Sequence, residues 1–187
     1  MSRNIPITAV DQHDFLEHRR EQEKKHWSGL QFNKHPMEYT ELSSILTVEM
    51  NTTELCNRTC SFCPRANPEV FPNRNLHMTP KGAEIIGKEL HKNGFQGKIS
   101  LSGYGENLLN PRFQEIVGVL RREVPHATLE CNTNGDKLTY EYANMLFEFS
   151  GLDMLYINLY DGIEQADHFD VIMRDVPQSN YKYRMHW

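Results

Sequence analysis

Apolar and polar residues alternate one by one in five short segments of the chain, and this two-residue period predicts β-strands. The segments read SILTVEMN, KISLSG, ATLECN, LYINLYD and YKYRMHW. Between them, apolar residues recur every three or four positions, as they do in amphipathic helices. Strands that alternate with helices pair in parallel through right-handed crossovers, so the chain is predicted to adopt an α/β fold.

Capping and breaking residues set the predicted bounds of the helices. Thr79-Pro80 opens the first helix as its N-cap and first helical residue, and Asn93-Gly94 ends it. Asn110-Pro111 is predicted to cap the next helix, and Thr139 the one after it. The last helix is predicted to end before Pro177, which cannot continue it.

Residues 1–43 are polar and rich in charge, and they precede the first predicted strand. Asp11 is a suitable N-cap for a helix through HDFLEHRREQEKKHW, whose apolar stripe is thin. The segment is predicted to be an N-terminal extension with a helix that rests on the main domain. A solvated charged arm is the alternative. Residues 44–187 form the predicted core domain.

Each predicted strand has one apolar and one polar face. A doubly wound sheet covered by helices on both sides would be apolar on both faces, so this pattern favours a closed or half-closed barrel with a polar, ligand-filled interior. Glu49 and Glu130 fall on the polar face, where they are expected to pair with Lys182, Arg184 or a ligand. The apolar set comprises Leu46, Val48, Met50, Ile99, Leu101, Leu129, Cys131, Leu155, Ile157 and Leu159.

Composition excludes several classes of protein. With 187 residues, 39% of them hydrophobic, the chain is long and apolar enough to bury a core. Its net charge of −5 lacks the basic footprint of a general nucleic-acid binder. No apolar run approaches the roughly 18 residues of a membrane span, and the N-terminus has no apolar signal region. These features predict a cytoplasmic protein without membrane or nucleic-acid partners.

Three of the four cysteines, Cys56, Cys60 and Cys63, lie within eight residues of one another. A disulfide framework would spread its cysteines along the chain, so the cluster of thiols indicates a metal or iron–sulfur site in a reducing compartment. Cys131 stands alone on the apolar face and is predicted to be a core thiol.

Two kinds of centre are compatible with three thiolates on one loop. Zinc would need a fourth ligand or a water, and His77 or His35 could supply it. An iron–sulfur cube usually takes four cysteines, so three would leave one iron open for an exogenous ligand.

The cysteine motif and the segments after the later strands resemble a known family. CNRTCSFC matches the CxxxCxφC signature of the radical S-adenosylmethionine (radical SAM) superfamily, in which φ is an aromatic residue and is Phe62 here. SGYGENLL resembles the family's Gly-Gly-Glu motif, and CNTNGDKLT and INLYDG resemble its later motifs. The resemblance covers residues 44–187 and is closest to the branch whose members usually carry a SPASM-type auxiliary-cluster domain.

The resemblance implies a 4Fe–4S cluster and S-adenosylmethionine as cofactors. Cys56, Cys60 and Cys63 would ligate three irons, and the amino and carboxylate groups of S-adenosylmethionine would chelate the fourth. Reductive cleavage would give methionine and a 5′-deoxyadenosyl radical, which would abstract hydrogen from a peptide or small-metabolite substrate. A flavodoxin- or ferredoxin-type protein would supply the electron.

The resemblance also implies roles for residues at the predicted strand ends. Glu106, after Gly105, resembles the carboxylate that receives the ammonium of the cofactor, and its alternative is a solvated loop residue. Asn158 and Asp161 resemble partners of the ribose hydroxyls, and Phe62 would pack near the adenine or fill an apolar gap. Asp161-Gly162 and Asn134-Gly135 are also strong turn dipeptides. The predicted cofactor-binding set is Phe62, Gly105, Glu106, Asn134, Asn158 and Asp161.

The sequence departs from the family pattern in two places. The family barrel generally has six strands, whereas five are predicted here, and the sequence ends inside the fifth. The resemblance therefore implies an incomplete barrel that lacks the last strand and any auxiliary-cluster domain, as in a truncated product. Asn107 occupies a position where the family often has proline, a change expected to affect loop stiffness more than chemistry.

Three functions follow as hypotheses. The leading one is a radical SAM enzyme of the oxidoreductase type. The second is a structural module whose thiols bind zinc, and the third is an inactive remnant that retains the cluster loop.

Overall fold

The structure, a computed structural model, describes Leu42 and residues 45–186. The helix predicted after Asp11 lies outside the described residues, as does almost all of the predicted extension 1–43. Among the residues that are described, no helix is long and apolar enough to cross a membrane.

Five parallel strands form one open sheet, and they lie side by side in the order in which they occur along the chain. This arrangement confirms the predicted α/β class and is consistent with a partial (β/α) barrel. The strands are β1 Thr47–Met50, β2 Lys98–Leu101, β3 Thr128–Thr133, β4 Met154–Leu159 and β5 Tyr181–Met185.

Helices follow β1 to β4 and cover the apolar face of the sheet. Thr79 and Thr139 cap the first and third of them as predicted, because their hydroxyls accept hydrogen bonds from Gly82 N and Tyr142 N. The helices are α1 Pro80–Lys92, α2 Phe113–Glu123, α3 Tyr140–Asn144 and α4 Gln165–Met173, and a π-helical turn Met145–Phe149 continues α3. Short 3₁₀ turns lie at Pro64–Ala66 and Asn107–Leu109.

The predicted start of α2 is wrong. The helix begins at Phe113, with Arg112 in the N-cap position, and not at Asn110-Pro111. The Asn110 side chain is buried and engaged elsewhere, because it donates to the carbonyl oxygens of Thr52 and Met78 at 2.9 and 3.0 Å. Its amide oxygen accepts from Arg112 N, an Asx turn that precedes the helix.

The register of the strands keeps the predicted apolar residues on one side of the sheet. Met50, Leu101, Cys131 and Leu155 are aligned across β1 to β4, and all four are buried. Cys131 is fully buried in this core, which confirms the prediction of a core thiol, and burial raises its pKa. Burying a side chain of this kind stabilises the fold by roughly 1.5–3 kcal/mol for each leucine or methionine.

The polar face carries charges whose pairing differs from the prediction. Glu130 pairs with Lys98 at 3.2 Å, and not with Lys182 or Arg184. Lys98 stands on the strand next to Glu130 and diagonal to it, whereas Lys182 and Arg184 stand two strands away. No cation in the described part of the chain pairs with Glu49.

Arg184 binds polar and aromatic neighbours instead of a carboxylate. Its guanidinium donates to Asn132 Oδ1 and lies 3.8 Å from the centroid of the Tyr156 ring. Contacts of this kind hold a cation over an aromatic face. The polar face is therefore a connected surface of side chains.

The buried side chain of Asn107 ties the ends of three strands together. Its amide oxygen accepts from the Thr52 hydroxyl at 2.6 Å, just past the end of β1. Its amide nitrogen donates to the carbonyl oxygens of Leu101 in β2 and Asn132 in β3 at 2.8 and 3.1 Å. Proline has no side-chain amide, so the departure from the family pattern at this position adds three hydrogen bonds to the core.

We expect Asn107→Leu, which keeps the size of the side chain, to lower the free energy of unfolding by at least about 3 kcal/mol. Each of the three buried partners left without its hydrogen bond costs roughly 1–3 kcal/mol. Urea denaturation followed by circular dichroism measures the change. The exposed Asn180→Ala is the matched control, expected to stay within about 0.5 kcal/mol of the original protein. Equal stability of the two variants would show that the Asn107 bonds add nothing.

Candidate functional site

The predicted site residues lie at one edge of the sheet, where the carboxyl ends of its parallel strands meet. The cysteine loop follows β1, and Gly105 and Glu106 follow β2. Asn134 follows β3, while Asn158 and Asp161 lie at the end of β4. Ligand sites of parallel α/β folds occupy this edge, because the connecting loops there converge.

The three cysteines are free, half-buried thiols on the loop that leaves β1. The start of the loop is held by Asn73, whose side chain accepts from Cys56 N at 2.9 Å and donates to Cys56 O at 3.0 Å. The buried guanidinium of Arg65 donates to Asn73 and to the carbonyl oxygens of Glu54 and Tyr104. These bonds fix the loop against the ends of β1 and β2.

The thiols interact with one another electrostatically. Burial raises the pKa of Cys60, and the neighbouring sulfurs of Cys56 and Cys63 raise it further. Burial is also the main reason that the pKa of Cys56 is raised, although the N–H of Arg58 bonded to its sulfur acts in the opposite direction. Iron bound to the sulfurs would offset this mutual repulsion, because positive charge stabilises thiolates.

The cysteine loop fits the ligand requirement of an iron–sulfur cluster. In the described segment, no three Cys, His, Asp or Glu side chains converge so that they could hold one metal ion. A 4Fe–4S cluster does not require that convergence, since each thiolate binds a different iron. Three free thiols on one loop, whose sulfurs influence one another's pKa, are the type of ligand that such a cluster requires.

His77, one of the two histidines considered as zinc ligands, does not support the zinc alternative. Both ring nitrogens of His77 are engaged, Nδ1 with the Thr53 hydroxyl at 2.9 Å and Nε2 with Asn75 Oδ1 at 2.7 Å. Zinc binding would break one of these bonds. His35 lies outside the described residues.

Two residues between the first two cysteines tie the loop to the turns after β3 and β4. Arg58 donates two hydrogen bonds to Asp136, both at 2.7 Å, and two to Asp161, at 2.7 and 3.1 Å. Asn57 donates to Asp136 at 2.6 Å. The two carboxylates raise the pKa of Arg58, so the guanidinium is charged at any ordinary pH. We call Asn57, Arg58, Asp136 and Asp161 the Arg58 clamp.

Asn134 and Asp161, predicted to contact the cofactor, make contacts within this part of the chain. The Asp161 carboxylate binds Arg58 and also accepts from Gln165 Nε2 at 3.0 Å. Asn134 donates to Asn57 Oδ1 at 2.9 Å and accepts from Asp136 N at 3.0 Å. Both residues therefore help to hold the cysteine loop, and their contact with the cofactor stays a prediction.

Glu106 is a buried carboxylate and not a solvated loop residue. It is 3% exposed and accepts from Leu108 N, from the Thr133 hydroxyl and from Asn134 N, at 2.7 to 3.0 Å. Burial raises its pKa even though these three donors act in the opposite direction. The carboxylate joins the segment after β2 to the end of β3, and its contact with the ammonium of the cofactor stays a prediction.

Gly105 is required by the backbone that passes beside it. A Cβ atom at this position would lie 1.8 Å from the carbonyl oxygen of Thr53. Glycine, which has no Cβ, allows these two segments of backbone to approach closely. This approach brings the segment after β2 against the start of the cysteine loop.

Three aromatic rings stack at the same edge, one from each of three elements. Phe62 belongs to the cysteine loop, Tyr160 follows β4 and His186 follows β5. The ring centroids are 5.1 to 6.0 Å apart, and each pair of planes is inclined by 19° or 20°. Phe62 remains exposed, so the stack presents an aromatic surface beside the thiols.

Asn158 connects this stack to the sheet. Its amide nitrogen donates to the carbonyl oxygen of Thr133 at 3.1 Å, and its amide oxygen lies 3.1 Å from His186 Nε2. The side chain lies on the polar face, as the parity of β4 predicts.

Arg58, Asp136 and His186 belong to the site but were not predicted from the sequence. Arg58 occupies a variable position of the cysteine motif, and Asp136 is a polar residue in a turn. The position of Arg58 between two cysteines was the only available signal, because its partners are 78 and 103 residues away along the chain. His186 lies in the segment YKYRMHW, which was predicted as the fifth strand, and no role was predicted for it.

Comparison with known proteins gives the same family as the sequence motifs. The model of the radical SAM superfamily matches residues 50–183. A relative from Niallia circulans, S-adenosyl-L-methionine-dependent 2-deoxy-scyllo-inosamine dehydrogenase, is 31% identical over 144 residues. The matched region is 72% of this chain and 56% of that protein, so this chain spans little more than half the length of the relative.

Solved structures agree with this result. The crystal structure of BtrN in complex with AdoMet and 2-DOIA has a TM-score of 0.62 and 26% identity, over 74% of this chain and 56% of that one. The structure of selenomethionine BtrN in an open conformation has a TM-score of 0.56 and 25% identity, over 79% and 58%. Since the family model matches more than half of its residues, the chain belongs to the radical SAM superfamily.

Proposed function

We propose that this chain binds a 4Fe–4S cluster and S-adenosylmethionine. We further propose that the protein to which the chain belongs uses these cofactors to oxidise a small molecule rich in hydroxyl groups. The observation that carries the proposal is the set of three free, half-buried thiols, Cys56, Cys60 and Cys63, at the carboxyl edge of a radical SAM sheet. A flavodoxin- or ferredoxin-type electron donor and a cytoplasmic location belong to the same proposal.

The three cysteines would hold the cluster, which supplies the electron that cleaves S-adenosylmethionine to a 5′-deoxyadenosyl radical. The protein would orient the two cofactors and shield them. Asn73 and Arg65 hold the loop on the side of β1, while the Arg58 clamp holds it on the side of β3 and β4. Groups fixed on both sides in this way keep cluster ligands in place.

The proposed contacts with S-adenosylmethionine surround the loop. Phe62 offers an exposed ring face for the adenine, and Asn158 and Asp161 offer polar atoms near the end of β4 for the ribose. The segment Gly105-Glu106 would meet the methionine end, with Asn134 beside it.

The polar face favours a small polyhydroxylated substrate over a peptide. The Ser100 hydroxyl donates to that of Ser102 at 3.2 Å, and Asn132 links Ser100 to Arg184. This row of hydroxyl, amide and guanidinium groups can exchange hydrogen bonds with ring hydroxyls. The relative from Niallia circulans acts, by its name, on an aminocyclitol of this chemical kind.

We expect anaerobic reconstitution with iron and sulfide to give a brown protein with about four irons. Cys60→Ala should lose the cluster, because it removes one of three ligands. Cys131→Ala is the matched control, since it also removes a thiol but one buried in the core, and it should retain full iron content. Iron analysis and electron paramagnetic resonance of the reduced protein measure the cluster content of both variants.

The reconstituted protein should release 5′-deoxyadenosine when it receives dithionite and S-adenosylmethionine. Tight binding of colourless zinc by the same three thiols would contradict the cluster and support the structural module. A complete cluster without 5′-deoxyadenosine would contradict the enzyme and support the inactive remnant.

We expect Arg58→Met to speed the loss of iron to a chelator by about 10- to 100-fold, the usual effect of removing a group that orients metal ligands. Arg58→Lys keeps the charge but not the forked geometry, so it should fall between Arg58→Met and the original protein. The exposed Arg122→Met, which removes a salt bridge to Glu123, is the control. Equal rates of iron loss in Arg58→Met and Arg122→Met would rule out a holding role for the clamp.

A further inference from the structure

Within the part of the chain that the structure describes, one ring nitrogen of His186 has a hydrogen-bond partner and the other is open. Nε2 lies 3.1 Å from the amide oxygen of Asn158. Among the residues that the structure describes, no group forms a hydrogen bond with Nδ1. The ring is held in place by stacking on Tyr160 and Phe62, at 5.1 and 5.6 Å.

The orientation of Asn158 decides which nitrogen of His186 carries the proton. The amide nitrogen of Asn158 donates to the carbonyl oxygen of Thr133, so the atom facing His186 is the amide oxygen. An amide oxygen only accepts hydrogen bonds, and Nε2 must therefore be the donor. A neutral imidazole that is protonated on Nε2 has its free lone pair on Nδ1.

The surroundings keep this ring neutral. Burial lowers the pKa of His186, and the positive charge of Arg184 on the same strand lowers it further. Tyr160, which follows β4 and stacks on this ring, is also uncharged at neutral pH, and burial raises its pKa to about 12. A neutral imidazole with an open lone pair is the form that accepts protons.

We infer that His186, held in its Nε2–H form by Asn158, is the residue that accepts the proton of the substrate hydroxyl. The inference rests on the proposed function and adds a catalytic residue to it. Three features support it: the fixed side-chain amide, the open Nδ1, and stacking on Phe62 of the cysteine loop, beside the thiols.

The proposed step balances as the oxidation of an alcohol to a carbonyl. The carbinol carbon loses its hydrogen atom to the 5′-deoxyadenosyl radical, which becomes 5′-deoxyadenosine. The hydroxyl proton passes to Nδ1 and makes His186 an imidazolium. The remaining electron passes to a one-electron acceptor of the iron–sulfur class, and the C–O single bond becomes a double bond. Asn158 stabilises the imidazolium by accepting the hydrogen bond from Nε2–H.

The tautomer is tested by nuclear magnetic resonance of the full protein with ¹⁵N-labelled histidine, before any cofactor is added. His186 is assigned by comparison with His186→Gln, since the chain has nine histidines. We expect the Nε2–H form in the original protein and a mixture of tautomers in Asn158→Leu, which removes the acceptor. A dominant Nδ1–H form in the original protein would overturn the inference whether or not a cluster is bound.

The catalytic role is tested with the reconstituted protein, 2-deoxy-scyllo-inosamine as the probe and an oxidised ferredoxin as the one-electron acceptor. We expect His186→Gln to lose carbonyl product by about 100-fold or more relative to the 5′-deoxyadenosine that it forms, the lower range of general-base effects. Added imidazole should restore product in His186→Ala. Parallel loss of both products, or no loss of carbonyl product, would overturn the role.

Failure of the proposed function gives a different result. A protein that forms no 5′-deoxyadenosine contradicts the proposed function itself and the inference with it. A protein that cleaves S-adenosylmethionine and leaves the probe unoxidised contradicts the substrate class, and overturns the role of His186 while the cofactor chemistry stands.

Discussion

The site depends on how polar groups at the carboxyl ends of the strands find partners above an apolar core. The residues below this edge, such as Leu101 and Cys131, are fully buried, so polar groups beside them cannot form hydrogen bonds with solvent. A buried amide or carboxylate there is costly unless it is hydrogen-bonded. Asn107 and Glu106 meet this requirement with three bonds each, all to groups of this chain. They join the ends of β1, β2 and β3, and so fix the base on which the cysteine loop rests.

The cysteine loop itself is held by charges and amides more than by apolar packing. The side chains of Arg58 and Asp136 are 20% and 27% exposed, so their ion pair is partly shielded from water. An isolated surface ion pair contributes little to stability. A guanidinium that binds two carboxylates with four hydrogen bonds also fixes the orientation of the groups that it joins. Asn57 donates a fifth hydrogen bond within the clamp, to Asp136. A fixed direction is what the proposed cluster loop requires, since its three sulfur atoms would have to be presented together.

The fold was predictable because its signals are local. The alternation of residues in each strand predicted both the parallel sheet and its buried face, and Thr79 and Thr139 capped their helices as expected. Asn110 was misassigned because its side chain donates hydrogen bonds to the carbonyl oxygens of Thr52 and Met78, which are far away in sequence. Pairing on the polar face was misassigned for a related reason: residue parity gives the face but not which strand supplies the neighbour, and Lys98 was nearer to Glu130 than Lys182 or Arg184.

The candidate site was predictable only in part. The spacing of the cysteines is a property of a short segment and pointed directly to a cluster loop. The groups that hold the loop could not be predicted from a short segment, because the partners of Arg58 lie in two turns that follow other strands. Glu106 and Gly105 were identified as site residues, yet their closest contacts are with Asn134 and Thr53 of this chain. Motif analysis therefore finds the position of a residue more readily than its neighbours.

Stacking of Phe62, Tyr160 and His186 gives the last strand a physical connection to the cysteine loop. β5 lies at the opposite edge of the sheet from β1, so nothing in the ladder of backbone hydrogen bonds joins their ends directly. The three rings bridge that distance, and offset aromatic contacts of this kind are worth about 0.5–1.5 kcal/mol each beyond the area they bury. Because Phe62 is adjacent to Cys63 in sequence, the stack connects the cysteine loop to His186. The contact that supports the loop thus also places the His186 imidazole next to Phe62.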